Sequence, residues 1–396
     1  MQPAFASLDE IAAAALGAGT PCYVYGPALA AERIRRLMRT MKEASAKIEV
    51  AYAVKANPRP EFLAALAATG CDFDVASQGE LERVVAQGVA GNRMVFSGPG
   101  KSEQEVRRAL DHGVRLNAEG ERDLRLAAAY GAAHGRRVAV NLRVNPGGGQ
   151  AGNIIGGAGP SRFGVDEERL AEVLDRWAGH AHVEVRGLQV FTASNVLSVL
   201  DLANHHLKAL NLAADLRSRE QHPLELDTVD LGGGLGIPYA DSEPELDVAA
   251  LARALGEMLE HSVYGLRSGR VLLEPGRWIA GPCGAYVARV LEIKVSQGVR
   301  FAVLDGGIHH LVRPALIKVD QPCAVVRPGH GALPATGTPT TFGGPLCTGI
   351  DILARDVRCG DPQEGDLVVF LQAGAYGETE AMPDFLLHPR PKIVVL

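Results

Sequence analysis

The sequence predicts an α/β fold: a (β/α)8 TIM barrel with a second, C-terminal β-rich domain of sandwich or barrel-like character. Three observations predict it. Eight short strand-like runs each precede a helical pattern within about 250 residues. Polar residues and glycines collect at the C-terminal ends of those runs, where a barrel gathers distant positions around one mouth. After about residue 281 the texture changes to strand-like runs with few helices between them.

The eight runs, in order, are IEVAYAVKAN (48–57), CDFDVAS (71–77), RMVFSGP (93–99), VRLNAEG (114–120), RRVAVNLRVNP (136–146), EVRGLQVFTAS (184–194), ELDTVDLGGG (225–234) and RVLLEPGR (270–277). A doubly wound sheet is the competing arrangement. The strand-end placement of Lys55, Asp74, Arg143, Ser194, Gly232 to Gly234, Glu274 and Arg277 favours the barrel. Beyond it, YVARVLEIKVS, FAVLDGG, PCAVVRP and DLVVFLQAG read as strands, and TPCYVYG (20–26) joins their sheet. GHGALPATGTPTTFGG (329–344) reads as a turn-rich loop. The expected domains are therefore 27–280 for the barrel and 1–26 plus 281–396 for the β-rich part.

Composition excludes several function classes. The chain has 396 residues, 47% of them hydrophobic, and a net charge of -6 without a Lys/Arg run, so no nucleic-acid partner is expected. No apolar stretch approaches the roughly 20 residues of a membrane span. The N-terminus places Asp9 and Glu10 where a secretion signal would be apolar, so a cytoplasmic protein is expected. Cys22, Cys71, Cys283, Cys323, Cys347 and Cys359 form no CxxC pair, which predicts reduced, buried thiols and no metal site.

Lys55 lies in AYAVKAN, where apolar surroundings would desolvate its ammonium and favour Schiff-base chemistry. The glycines of LGGGLG (231–236) can turn backbone N–H groups toward a phosphate. Ser194 can add a hydroxyl and Arg277 a forked cation. Glu274 ends an apolar strand and needs a partner, either a nearby arginine or the ring nitrogen of a cofactor.

Together the motifs AYAVKAN, FDVAS, SRFGV, DLGGGLGIPY, EPGR, GPLC and AGAYG resemble, in this order, the fold-type III pyridoxal-phosphate decarboxylases of diaminopimelate, ornithine and arginine. The resemblance implies pyridoxal 5'-phosphate as cofactor and a homodimer with shared active sites. It implies that Lys55 carries the cofactor, with Asp74 and Arg143 ordering the polar network near it and Glu274 pairing the pyridine nitrogen. Ser194, Gly233, Gly234, Gly276, Arg277 and Tyr376 would hold the phosphate. Cys347 would enter from the second subunit and reprotonate the substrate carbon, with Lys55 as the competing acid. The substrate would meet Arg277, Arg313, Cys347, Thr348 and Tyr376. A racemase on the related barrel is disfavoured because it places an arginine, not Glu274, at the ring nitrogen. A non-catalytic pyridoxal-phosphate carrier is disfavoured by the second domain and GPLC.

The chain also departs from that family. Its GLQVFTAS puts Gln189 and Phe191 where GxHxHxGS has histidines, so Phe191 can stack on the cofactor but cannot titrate. Thr348 follows Cys347 where an acidic residue would hold a distal ammonium, with Asp351 as a possible substitute. Arg313 in HHLVRPALI resembles an arginine that binds a distal carboxylate, although on local pattern alone it reads as a surface ion pair. These features, with GPGK (98–101), resemble a side branch acting on citrate-conjugated amino acids of siderophores or on aminoacyl groups tethered to an acyl carrier protein. His309 and His310 read as solvated surface side chains.

Overall fold

The computed structural model describes residues 1–147, 160–191, 193–261 and 269–396. The glycine-rich stretch after Pro146 falls largely outside them. Among the described residues the strands are β1 (Cys22–Tyr25), β2 (Ile48–Ala53), β3 (Asp72–Val75), β4 (Met94–Phe96), β5 (Arg115–Ala118), β6 (Val138–Asn145), β7 (Val165–Asp166), β8 (Val183–Val190), β9 (Thr228–Asp230), β10 (Arg270–Leu273), β11 (Gly284–Ser296), β12 (Val299–Leu304), β13 (Cys323–Arg327), β14 (Gly331–Ala332), β15 (Thr340–Gly343), β16 (Ile352–Val357), β17 (Leu367–Phe370) and β18 (Lys392–Val395).

Eight of them close a parallel barrel in the order β2-β3-β4-β5-β6-β8-β9-β10, with β10 returning to β2. Each of the eight expected runs contains one barrel strand or nearly all of one, and most strands stop short of the expected C-terminal end. The residues beyond those ends leave the ladder and carry the candidate site. Inside the barrel the β6–β8 register shifts between Val140 and Asn141. There a Cβ on Gly187 would lie 2.2 Å from Asn141 Oδ1, so glycine makes room for a buried amide.

The other unit is a nine-stranded sheet in the order β14-β13-β17-β11-β12-β15-β16, with β1 against β11 and β18 against β1. The helix Leu8–Ala18 covers part of it. Ser7 and Glu10 form a capping box at its start. Leu8, Ile11, Ala12 and Ala15 recur at helical spacing and pack with Val24, Ala285, Val287, Leu367 and Val369. The stretch 329–344 is not all loop. Its Thr-Thr-Phe end suits a pleated surface and forms β15, parallel to β12 and antiparallel to β16.

The two compact units comprise Glu32–Gly236 with Glu245–Gly276, and Met1–Ala31 with Ile237–Pro244 and Arg277–Leu396. Ile237–Pro244, expected in the barrel, therefore groups with the β unit. The reason is local: Gln372 Nε2 donates to Pro238 O, and Arg277 donates to the Tyr239 hydroxyl.

Candidate active site

At the barrel mouth, Lys55 follows β2 on a single 3-10 turn, and its Nζ donates to Asp74 Oδ2 at 2.7 Å. Asp74, immediately before Val75 closes β3, has a side chain shut off from solvent. Glu274 follows β10 and is also buried. Gln189 Nε2 donates to Glu274 Oε2 at 3.0 Å, whereas Glu274 Oε1 receives no hydrogen bond. Burial, followed by the negative charges of Asp230 and Asp74, pushes the Glu274 carboxyl well above the usual range. Burial likewise pushes Asp230 up to about 6.

Arg143, in β6, is buried. Its Nη1 donates to Glu119 Oε1 at 2.8 Å, and its guanidinium lies 4.5 Å from the Phe163 ring centroid and 6.0 Å from that of Phe191. Glu119 also accepts from the backbone N–H of Gly98 and of Gly164. This carboxylate, unnoticed in the sequence because NAEGE resembles a helix start, ties together the loops that follow three strands. Lys101 of GPGK is buried and donates to Gly98 O, Asn117 O and Asp123 Oδ2.

The glycine run packs closely on the end of β8. A Cβ on Gly233 would lie 2.6 Å from Glu274 O, and one on Gly234 would lie 3.0 Å from Ala193 O. Gly232 and Gly234 have φ of +68° and +101°, a region open to glycine. Ser194 is half-buried beside Ala193, and Val196 bridges to Leu235. Gly276 is buried between Glu274 and Arg277 in sequence.

In the β unit, Arg277 Nη1 donates to the Tyr239 hydroxyl at 2.8 Å, its guanidinium lies 4.8 Å from the Tyr376 ring centroid, and its Nε is buried without a partner. Tyr376 itself adopts a left-handed φ of 61°. Arg313 lies 3.3 Å from the Tyr239 ring centroid and donates to Gln321 Oε1. Among the described residues it pairs with no carboxylate, contrary to the surface ion pair its local sequence suggests. Desolvation lowers its pKa.

Cys347 is exposed, and Thr348 is half-buried. Asp351 is not a stand-in for the missing acid: its Oδ1 accepts from Ile308 N and its Oδ2 from Leu346 N, so it shapes the loop. His309 and His310 are not solvated; they are 0% and 1% exposed, with ring centroids 3.8 Å apart. Tyr286 OH lies 3.0 Å from His310 Nδ1, and His310 Nε2 lies 3.0 Å from Pro389 O. Burial holds His309 near 4 and His310 near 3. Among the described residues no group of three or more His, Cys, Asp or Glu is arranged to hold a metal ion, and no helix is long and apolar enough to cross a membrane.

Residues 31–281 match the family described as "Pyridoxal-dependent decarboxylase, pyridoxal binding domain". The chain belongs to this family. It is a pyridoxal-phosphate-dependent carboxy-lyase. A diaminopimelate decarboxylase of Zymomonas mobilis is 34% identical over 94% of this chain and 86% of its own length. A Staphylococcus aureus 2-[(L-alanin-3-ylcarbamoyl)methyl]-2-hydroxybutanedioate decarboxylase is 30% identical over 87% of each chain. The solved structure of Helicobacter pylori diaminopimelate decarboxylase complexed with L-lysine has 26% identity and a TM-score of 0.83, covering 96% of this chain and 92% of that one.

The residues of this decarboxylase fit the cofactor. Glu274 Oε1 is a buried acceptor lacking a donor, as a protonated ring nitrogen requires. The glycine run leaves no space for side chains along its backbone. Arg277 Nε is a buried donor lacking an acceptor.

Proposed function

We propose that this decarboxylase removes the α-carboxylate of an amino-acid conjugate whose far end is anionic, such as a citryl-type conjugate, rather than of an amino acid with a free distal ammonium. One observation carries the reading: the loop after Cys347 offers Thr348 but no available carboxylate, because both oxygens of Asp351 are occupied by backbone N–H groups. Losing a buried acid that pairs a cation costs several kcal/mol of recognition. Arg277 and Arg313, both beside Tyr239, form no ion pair among the described residues and suit a distal carboxylate. The S. aureus relative, whose name describes a hydroxybutanedioate amide, supports this choice.

The bound cofactor supplies an electron sink for the carbanion left when CO2 departs. In this reading Lys55 Nζ carries the cofactor and Asp74 orients that nitrogen. Glu274 holds the ring nitrogen's proton at Oε1. Ser194, Gly233, Gly234, Gly276, Arg277 and Tyr376 bind the phosphate, with Phe191 stacking against the ring and Arg143 ordering the polar network. Arg277, Arg313, Thr348 and Tyr376 receive the substrate. The exposed Cys347 thiol serves a homodimer partner's site as the acid that returns a proton to the α-carbon, with Lys55 as the alternative donor. The 34% identity to a diaminopimelate decarboxylase, together with the retained Arg313, favours diaminopimelate as the second reading.

A CO2-release panel tests the reading. It would compare ornithine, lysine, diaminopimelate, a citryl conjugate of 2,3-diaminopropionate and an aminoacyl group on a carrier protein. The conjugate should be turned over fastest. Turnover of ornithine or diaminopimelate at a comparable kcat/KM would overturn it, and turnover of the tethered group alone would make a carrier protein the partner.

A further inference from the structure

A chain of side-chain hydrogen bonds runs through the barrel interior and ends on Glu274. Asn141 Nδ2 donates to Asn117 Oδ1 at 2.8 Å, and Asn117 Nδ2 donates to Ser97 Oγ at 2.9 Å. Asn117 Nδ2 also reaches Asp230 Oδ2 at 3.4 Å. Gln189 Nε2 donates to Glu274 Oε2 at 3.0 Å and has Ser97 Oγ as a longer contact at 3.5 Å. Asn141, Asn117, Ser97, Gln189 and Glu274 are each no more than 5% exposed. Ser97 follows β4 and Gln189 lies in β8, with β5 and β6 between them, so their contact crosses the interior.

The direction of the chain is fixed at both ends. Asn141 Oδ1 lies against Gly187, where a Cβ would come within 2.2 Å, and accepts from Arg115 Nη1 at 3.4 Å. That leaves Asn141 Nδ2 for Asn117. At the other end the acceptor is a carboxyl oxygen. Turning the Gln189 amide over would set Oε1 against Glu274 Oε2, acceptor against acceptor. Both N–H bonds of Gln189 are thus committed to Glu274 and Ser97, while its Oε1 is buried without a donor. A bare buried amide oxygen is costly, and a buried hydrocarbon side chain would avoid that cost. What the amide adds is an asymmetry on Glu274: Oε2 receives an N–H and Oε1 receives none.

We infer that Gln189 is a positioning residue for Glu274: it holds Oε2, turns the bare Oε1 to the cofactor's ring nitrogen, and keeps the ring's proton on that nitrogen. The inference rests on Glu274 as the ring-nitrogen partner. A donor on Oε2 stabilises the ionised carboxylate and makes Oε1 a weaker base. The proton between Oε1 and the ring then belongs to the ring, as an electron-accepting ring requires. Ser97 and the two asparagines behind it restrict the amide that sets this balance.

Nitrogen-15 NMR of the full-length protein, loaded with pyridoxal 5'-phosphate labelled at the ring nitrogen, reads the place of that proton without turnover. The wild-type resonance should lie at the protonated position. Gln189→Leu removes the donor at similar volume and should move the resonance toward the unprotonated position. Gln189→Asn draws the amide back by a methylene, should move it the same way, and keeps the test available if Gln189→Leu fails to fold. A lesion that only loosened the fold would lower cofactor occupancy and leave the bound resonance in place. That pattern, or a wild-type resonance at the unprotonated position, overturns the inference. Glu274→Gln is the control for the reading beneath it. If Glu274→Gln leaves the resonance unmoved, Glu274 is not the ring's partner; if it moves the resonance and neither Gln189 variant does, only the role of Gln189 falls.

Discussion

The barrel mouth and the histidine cluster of the β unit both bury titratable groups, but with opposite charge logic. At the mouth, burial raises Asp230 to about 6 and pushes Glu274 well above the usual carboxyl range, so protonated acids suit the folded state. In the β unit, burial lowers His309 to about 4 and His310 to about 3, so neutral imidazoles suit it. The signs follow by linkage. An acid raised from 3.8 to about 6 costs stability as pH rises through that window, about 3 kcal/mol for Asp230 when fully ionised. A histidine lowered from 6.5 to about 4 costs stability as pH falls through that window, again about 3 kcal/mol for His309. One region favours protonated groups, and the other disfavours them.

The largest expected effect separates the two by function. Glu274→Ala should lower kcat by about 10²- to 10³-fold, measured by CO2 release, while His309→Leu should leave kcat within about twofold. A comparable loss in both would erase the distinction. Next, His309→Leu should flatten the acid limb of a thermal-stability profile between pH 6.5 and 4, removing up to about 3 kcal/mol of pH dependence. His310→Leu would be a poorer probe, since it also breaks the contacts with Tyr286 and Pro389. Asp230→Asn should raise the neutral-pH stability of the cofactor-free protein by about 1–3 kcal/mol, measured by denaturant unfolding. The smallest effect is expected at Tyr239. Replacing it with Leu removes stacking worth about 1 kcal/mol, so KM for the anionic conjugate should rise about fivefold with kcat retained.

The fold was legible because each barrel strand is an apolar run followed by a helical period, and the cofactor half of the site because its motifs sit at strand ends. What escaped notice has physical reasons. Adjacent histidines at 309 and 310 look hydrophilic as text, yet both are buried: His310 meets the Tyr286 hydroxyl and the Pro389 carbonyl, and the His309 ring packs 3.8 Å from it. Asp230 precedes three glycines and reads as the start of a loop, although it is the last residue of β9. Glu119 sits between a strand and a helix, and only three-dimensional placement gives it Gly98, Arg143 and Gly164 as partners. Gln189 was visible as a replaced histidine, but its bond to Glu274 was not.

The excursion of Ile237–Pro244 into the β unit constrains how the gene could be divided. The apparent seam at residue 281 invites expression of the barrel as a separate fragment. Such a fragment would carry Pro238 away from Gln372 and Arg277 away from the Tyr376 ring, stripping the Pro238 carbonyl of its donor. Each part would then expose surface that the intact chain covers. The glycine run and the segment after it are consecutive in the chain but belong to different units, so neither half can be swapped for a homologue's without rewriting that crossing.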